Sequence, residues 1–212
     1  MAQQSRPAAV VPTRWRTPED AHQTTGLIGP NAVLQMLPVL EQAGGVALRD
    51  QVMAAAGIFT PPSDAGLMAE APAARMHQAL RRIDPELAPA LAWAAGVRTA
   101  EYILANRIPR PAQIVLRLLP SAIAARLLSQ AVARHAWTFA GSGQFRVVAP
   151  LVFEIARNPT VRGEVSETPL CHWHRAVFET LFRKLVDDRL RCAEVACCAM
   201  GDPACRFVLL RD

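Results

Sequence analysis

Apolar positions recur at helical spacing through the first two thirds of the chain. Val33, Met36, Leu37 and Leu40 follow Gly29-Pro30-Asn31, a pattern that predicts a helix capped by Asn31 and ended by Gly44-Gly45. A second helix is expected over 46–56, stopped by Gly57 and followed by the proline-rich connector FTPPSDAG. Further helices are expected over 70–83, 85–95 and 98–106, each ended by Gly, Pro or Asn. The stretch from Ile108 to Trp137 reads as one long helix or two broken at Pro120. Its apolar positions Ile114, Leu118, Ile123, Leu127 and Leu128 predict a place in the centre of the core.

The texture then changes. HAWTFAGSGQFRVVAPLVFEIARNP carries β-branched and aromatic residues around Gly141-Ser142-Gly143, a hairpin signature, and VVAPLVFEI supplies further strand. HWHRAVFETLFRKLVDD returns to helical spacing through Val177, Phe178, Leu181, Phe182 and Leu185. Two strands, 190–197 and 205–210, flank the turn AMGDPA. The resulting plan is α+β: N-terminal helices, then an antiparallel β-β-α-β-β unit with helices packed on one face of its sheet. Residues 1–24 read as a flexible arm. Residues 25–212 read as a single domain, with a helical part over 25–134 and a sheet-containing part over 135–212.

Composition narrows the functional classes. No apolar run approaches the roughly 20 residues that a membrane-crossing helix needs, and the N-terminus lacks the apolar core of a secretory signal. The odd count of 5 cysteines suits a reducing compartment, so a cytoplasmic protein is expected. The formal net charge is +5, but all of the 23 basic residues except Lys184 are arginines scattered along the chain. That pattern lacks the dense basic stripe of a nucleic-acid binder, so no nucleic-acid partner is expected.

Four of the cysteines crowd into CAEVACCAMGDPACRFVLL near the C-terminus. Thiolates are the soft ligands that zinc prefers, and structural zinc takes four ligands in a tetrahedron. Glu194, Cys197 and Cys205 stand at a strand end and across the Gly-Asp-Pro turn. Cys171, at the start of the preceding helix, is the candidate fourth ligand, with His172, His174, Cys192 and Cys198 as rivals. The competing reading is that these cysteines are small buried hydrophobes.

The segment Glu194-x2-Cys197-x3-Gly201-Asp202-x2-Cys205-x-Phe207 resembles the C-terminal signature of the 4-vinyl reductase domain family. That family includes the sensing domain of phenol-responsive activators and is related in fold to TRAPP vesicle-tethering subunits. TGLIGPNAV at 25–33, RTAEYILANRIP at 98–109 and HAWTFAGSG at 135–143 extend the resemblance to stand-alone members of bacteriochlorophyll biosynthesis. The resemblance implies a structural zinc held by Cys171, Glu194, Cys197 and Cys205. It also implies a homodimer acting on magnesium tetrapyrroles.

Saturating a vinyl group requires a hydride or electron source, yet no nicotinamide, flavin or iron–sulfur motif is legible; Gly141-x-Gly143 lacks the third glycine of a dinucleotide fingerprint. A tetrapyrrole binder needs an apolar cleft with aromatic, histidine and arginine groups near it. His135, Trp137 and Phe139 share one face of the expected hairpin by period-2 alternation. Tyr102, Asn106, Arg107 and Arg110 precede them, and all are candidates for the ligand. The favoured expectation is a protein that binds divinyl protochlorophyllide or Mg-protoporphyrin and assists its processing or delivery. A true 8-vinyl reductase and a non-catalytic sensing or assembly module are the alternatives. Magnesium chelatase and other pathway enzymes are the expected protein partners. The expected location is the cytoplasm, peripheral to the photosynthetic membrane, although no amphipathic anchor with a lysine-rich face is visible.

Overall fold

The computed structural model describes residues 26–212, so the arm expected over 1–24 lies outside the described residues. A short strand β1 (Leu27–Ile28) pairs antiparallel with β2 (Met68–Ala69) and frames α1 (Asn31–Leu34) and α2 (Leu37–Ala55). Pro30 stands at the cap position expected for Asn31, whose Oδ1 instead accepts a hydrogen bond from Gln35 Nε2. The break expected at Gly44-Gly45 is present: both leave helical geometry, and Gly45 takes φ +68°.

Helix α3 (Glu70–Ile83) buries Ala73, Met76, His77 and Leu80, the i, i+3, i+4, i+7 stripe of an amphipathic helix. Helix α4 (Ala88–Asn106) is continuous where two separate helices were expected. Gly96 does not stop it. Gly96 lies instead where α4 meets α7 (His172–Leu185), and the buried face around it is built of the small residues Ala92, Ala95, Thr99 and Ala100. The hydroxyl of Thr99 donates to Ala95 O and accepts the Trp173 indole N–H at 3.1 Å, tying the two helices together.

The next two helices, α5 (Arg110–Leu118) and α6 (Ser121–Arg134), are separated at Leu119-Pro120. They are not central to the core. Helix α5 buries no residue, and α6 buries only Ala124, Ala125, Leu128 and Ser129, leaving Ile114, Val115, Leu118, Ile123 and Leu127 exposed. Helical periodicity specifies an apolar face but not what covers it, and here the core is closed without this pair.

The hairpin expected around Gly141–Gly143 is also displaced. Residues Ala136–Thr138 form a 3-10 turn, held by Thr138 Oγ1 donating to His135 O, so His135, Trp137 and Phe139 do not alternate on a strand. The true hairpin joins β3 (Gln144–Ala149) to β4 (Val152–Ala156) through Pro150-Leu151, with Leu151 at φ +70°. After α7 come β5 (Leu190–Ala196) and β6 (Ala204–Arg211). The sheet is antiparallel with order β3-β4-β6-β5.

Helix α7 covers one face of this sheet. The Phe178 ring lies 5.0 Å from Phe153 and 5.2 Å from Phe207, and one buried cluster runs from Ile28 through α3, α4 and α7 to Leu209. On the other face Arg146 and Arg206 both donate to the buried carboxylate of Glu154. The two guanidinium groups hold that carboxyl below its usual range against the opposing effect of burial.

Candidate functional site

Strand β5 ends in a bulge between Glu194 and Ala196. The chain then turns through Cys198–Met200 and Gly201, whose φ of +86° favours glycine, before β6 returns. Asp202 fixes this turn by accepting the Cys197 N–H at 2.9 Å. The geometry presents Cys197 and Cys205 from adjoining strands toward the N-terminus of α7, where Cys171 precedes the first helical residue. The Cys171 N–H donates to Glu194 Oε2 at 2.8 Å.

Ligand atoms of Cys171, Glu194, Cys197 and Cys205 all lie within 4.8 Å of one another. The sulfurs of Cys171 and Cys205 are 3.4 Å apart, and those of Cys205 and Cys197 are 3.9 Å apart. Sulfurs bound at ~2.3 Å around a tetrahedral zinc are separated by about 3.8 Å. The choice of ligands left open by the sequence therefore narrows to one group: His172, His174, Cys192 and Cys198 lie outside it. Cys198 contributes its backbone N–H to Cys205 Sγ, while its own sulfur faces Ile155 O. The Cys192 N–H donates to Glu179, and His174 is buried among aromatic rings with Nε2 3.4 Å from Phe139 O.

The electrostatics of the cluster also fit a cation. Burial, followed by the neighbouring Cys197, pushes the Glu194 carboxyl up to about 8, and burial raises the Cys171 thiol. Hydrogen bonds from Cys171 and Cys205 hold Cys197 well below the ordinary thiol range, whereas its thiol neighbours raise Cys205. Glu194 Oε1 is buried with no hydrogen-bond partner. Four acidic groups thus converge without a positive charge to match them, which a divalent cation would supply.

No sequence signal pointed to Asn158, a fully buried residue beside the cluster. Its side-chain N–H groups donate to the sulfurs of Cys171 at 3.3 Å and Cys205 at 3.6 Å, and its oxygen accepts from Thr160. Before Pro159 it reads only as a turn residue, since its partners are distant in the chain.

The candidate pigment contacts do not converge on one cavity. Asn106 donates to Tyr102 O, and the Arg107 guanidinium lies over the Tyr102 ring at 5.8 Å. His135 is exposed, with Nδ1 2.9 Å from Ala131 O, and Trp137 is also exposed. Phe139 packs edge-on against Phe145 and Phe178. None of these six lines the cleft that opens between α4, α5 and α7. That cleft, of ~410 Å³, is lined by Glu101, Leu104, Ala105, Arg110, Gln113, Arg117 and Lys184. Arg110, Gln113 and Arg117 share one stripe of α5 by their spacing, while Lys184 arrives from α7, a pairing that linear sequence does not announce.

Residues 151–211, which span most of the sheet and all of α7, match the 4-vinyl reductase domain. The chain is 56% identical over 185 residues to the "Bacteriochlorophyll synthase 23 kDa chain" of Cereibacter sphaeroides, covering 86% of this chain and 90% of that one. It is 47% identical over 184 residues to the protein of the same name from Rhodobacter capsulatus, covering 86% of each. Among solved structures, an H-NOX protein from K. algicida in its unliganded Fe(II) form aligns with TM-score 0.55 at 10% identity, covering 87% of this chain and 97% of that one, a likeness of fold alone. The identity and coverage with the two 23 kDa chains show that the chain belongs to their family.

Proposed function

We propose that this protein serves bacteriochlorophyll synthesis by binding a magnesium tetrapyrrole intermediate, divinyl protochlorophyllide or Mg-protoporphyrin, and delivering it to pathway enzymes such as magnesium chelatase. The observation that carries this reading is kinship at 56% identity, across nearly the whole length, with a chain named for bacteriochlorophyll synthesis. The cleft between α4, α5 and α7 is the proposed pigment contact. Its Arg110, Arg117 and Lys184 suit the carboxylates at a tetrapyrrole rim, and Leu104 and Ala105 offer apolar surface to the ring.

Zinc is the proposed metal of the Cys171, Glu194, Cys197 and Cys205 cluster. Four protein ligands complete its tetrahedron, so the ion supplies no open position for substrate. Its work in this reading is to clasp the β5–β6 turn to the start of α7, with Asn158 orienting two of the thiolates. Homodimerisation belongs to the same proposal.

The test is to titrate the purified protein with divinyl protochlorophyllide, with and without a reduced nicotinamide, following the pigment spectrum and the products. Tight binding without reduction, weakened by Arg110→Glu with Arg117→Glu, supports the carrier. Reduction of the vinyl group would make the protein an enzyme. Failure to bind this pigment or Mg-protoporphyrin would overturn the proposal.

A further inference from the structure

We propose that the α5–α6 helical pair is a docking surface for an anionic lipid bilayer. On α5, Ile114, Val115 and Leu118 fall on one side of the helix, and Leu118 is 80% exposed. On α6, Ile123 and Leu127 are one turn apart on the side opposite the buried Ala124, Ala125 and Leu128. Trp137 follows within one turn of the end of α6 and is 55% exposed. Single exposed apolar residues are ordinary on a protein surface, but two consecutive helices ending in an exposed tryptophan are not.

The charge around this surface has one sign. Arg110 and Arg117 flank Ile114 and Leu118 on the helical wheel, and Arg126 and Arg134 flank Leu127. All four are exposed, and none pairs with a carboxylate among the described residues. The chain contains no aspartate or glutamate between Glu101 and Glu154. A partner must therefore offer an apolar interior beneath a negatively charged rim.

An anionic bilayer has that structure. Amphipathic helices lie in its interface with their apolar side chains about 5–10 Å into the headgroup boundary, and arginine pairs with lipid phosphate. A second copy of the chain meeting this surface about a twofold axis would set arginine against arginine, with no acid in the segment to answer it. Nucleic acid would leave the leucine and isoleucine side chains without a partner.

The experiment is flotation of the full chain with pigment-free vesicles, one set of phosphatidylcholine alone and one containing phosphatidylglycerol. Binding is expected to the anionic vesicles only and to weaken as salt is raised. Leu118→Glu combined with Ile123→Glu should lower binding by about tenfold or more, with an unchanged Tm because both positions are exposed. Leu127→Ser serves as a second variant should the double change disturb folding. Absence of binding, or binding indifferent to these substitutions, would overturn the proposal. So would a wild-type dimer that Leu118→Glu converts to monomer, since a second copy would then cover the surface. The vesicles carry no pigment, so either result leaves the tetrapyrrole reading to its own test.

Discussion

Gly96 faces Trp173 so closely that a Cβ on it would stand 2.4 Å from the Trp173 carbonyl oxygen and 2.6 Å from the Cβ of Ala176. The oxygen belongs to the backbone and cannot swing aside, so the side chain missing at Gly96 sets the spacing of α4 and α7. Gly96→Ala should lower stability by about 1–3 kcal/mol in spite of alanine's better helix propensity. Chemical denaturation checks this; a stabilised variant would show that the helices do not meet as closely as described.

The cysteine cluster separates from its neighbours by substitution. Cys205→Ser should lower bound metal and Tm together, whereas Cys192→Ser, buried but outside the cluster, should leave the metal:protein ratio unchanged. Asn158→Ala removes two N–H donors from the sulfurs and should weaken metal retention by about 10-fold or more in a chelator competition.

Glu70 is a buried carboxylate that joins the first strand pair to the loop before β3. Its oxygens accept from the Ser142 backbone N–H, the Ser142 hydroxyl and Arg162 Nη1, and Gly26 and Gly141 leave room for it. Glu70→Ala strands those donors and should cost about 2–3 kcal/mol. Glu70→Gln, which keeps the shape and loses the Arg162 pairing, should cost less; equal losses in a thermal melt would count against the charge.

Acid should weaken the fold through its buried histidines. Burial holds His77 down to about 3 and His174 down to about 4, so both are neutral in the folded chain. Once unfolded, they take up protons near the ordinary value of about 6.5. Their contribution is therefore complete above that pH and is lost as the pH falls toward 4, by at most about 1.4 kcal/mol per pH unit for each residue. His77→Phe should flatten the fall of Tm between neutral pH and pH 5; an unchanged slope would assign the acid sensitivity elsewhere.

Much of the frame is legible in the sequence because it rests on local rules. The stripe from Ala73 to Leu80, the break at Gly44-Gly45 and the β5–β6 strands around Gly201 follow from side-chain periodicity and from glycine's access to positive φ. The candidate metal ligands were also within reach, since thiol chemistry limits the choice to a few residues. Periodicity failed where a neighbour distant in the chain decides the outcome. Gly96 looks like a stop until α7 is packed against it, and HAWTF looks like a strand until His135 and Thr138 bond within their own turn. The α5–α6 pair looks like core until the core closes without it.

The sequence by itself determined which residues have the chemistry to bind metal, carboxylate or lipid, because donor type, charge and apolarity belong to each side chain. Only the tertiary structure decided which of them meet. It drew Cys171 across to Cys205, set Asn158 beside both, and brought Lys184 to Arg117, while leaving Ile114 and Leu118 facing outward. Those distances and exposures come from the packing of α4, α7 and the sheet, which no local pattern encodes.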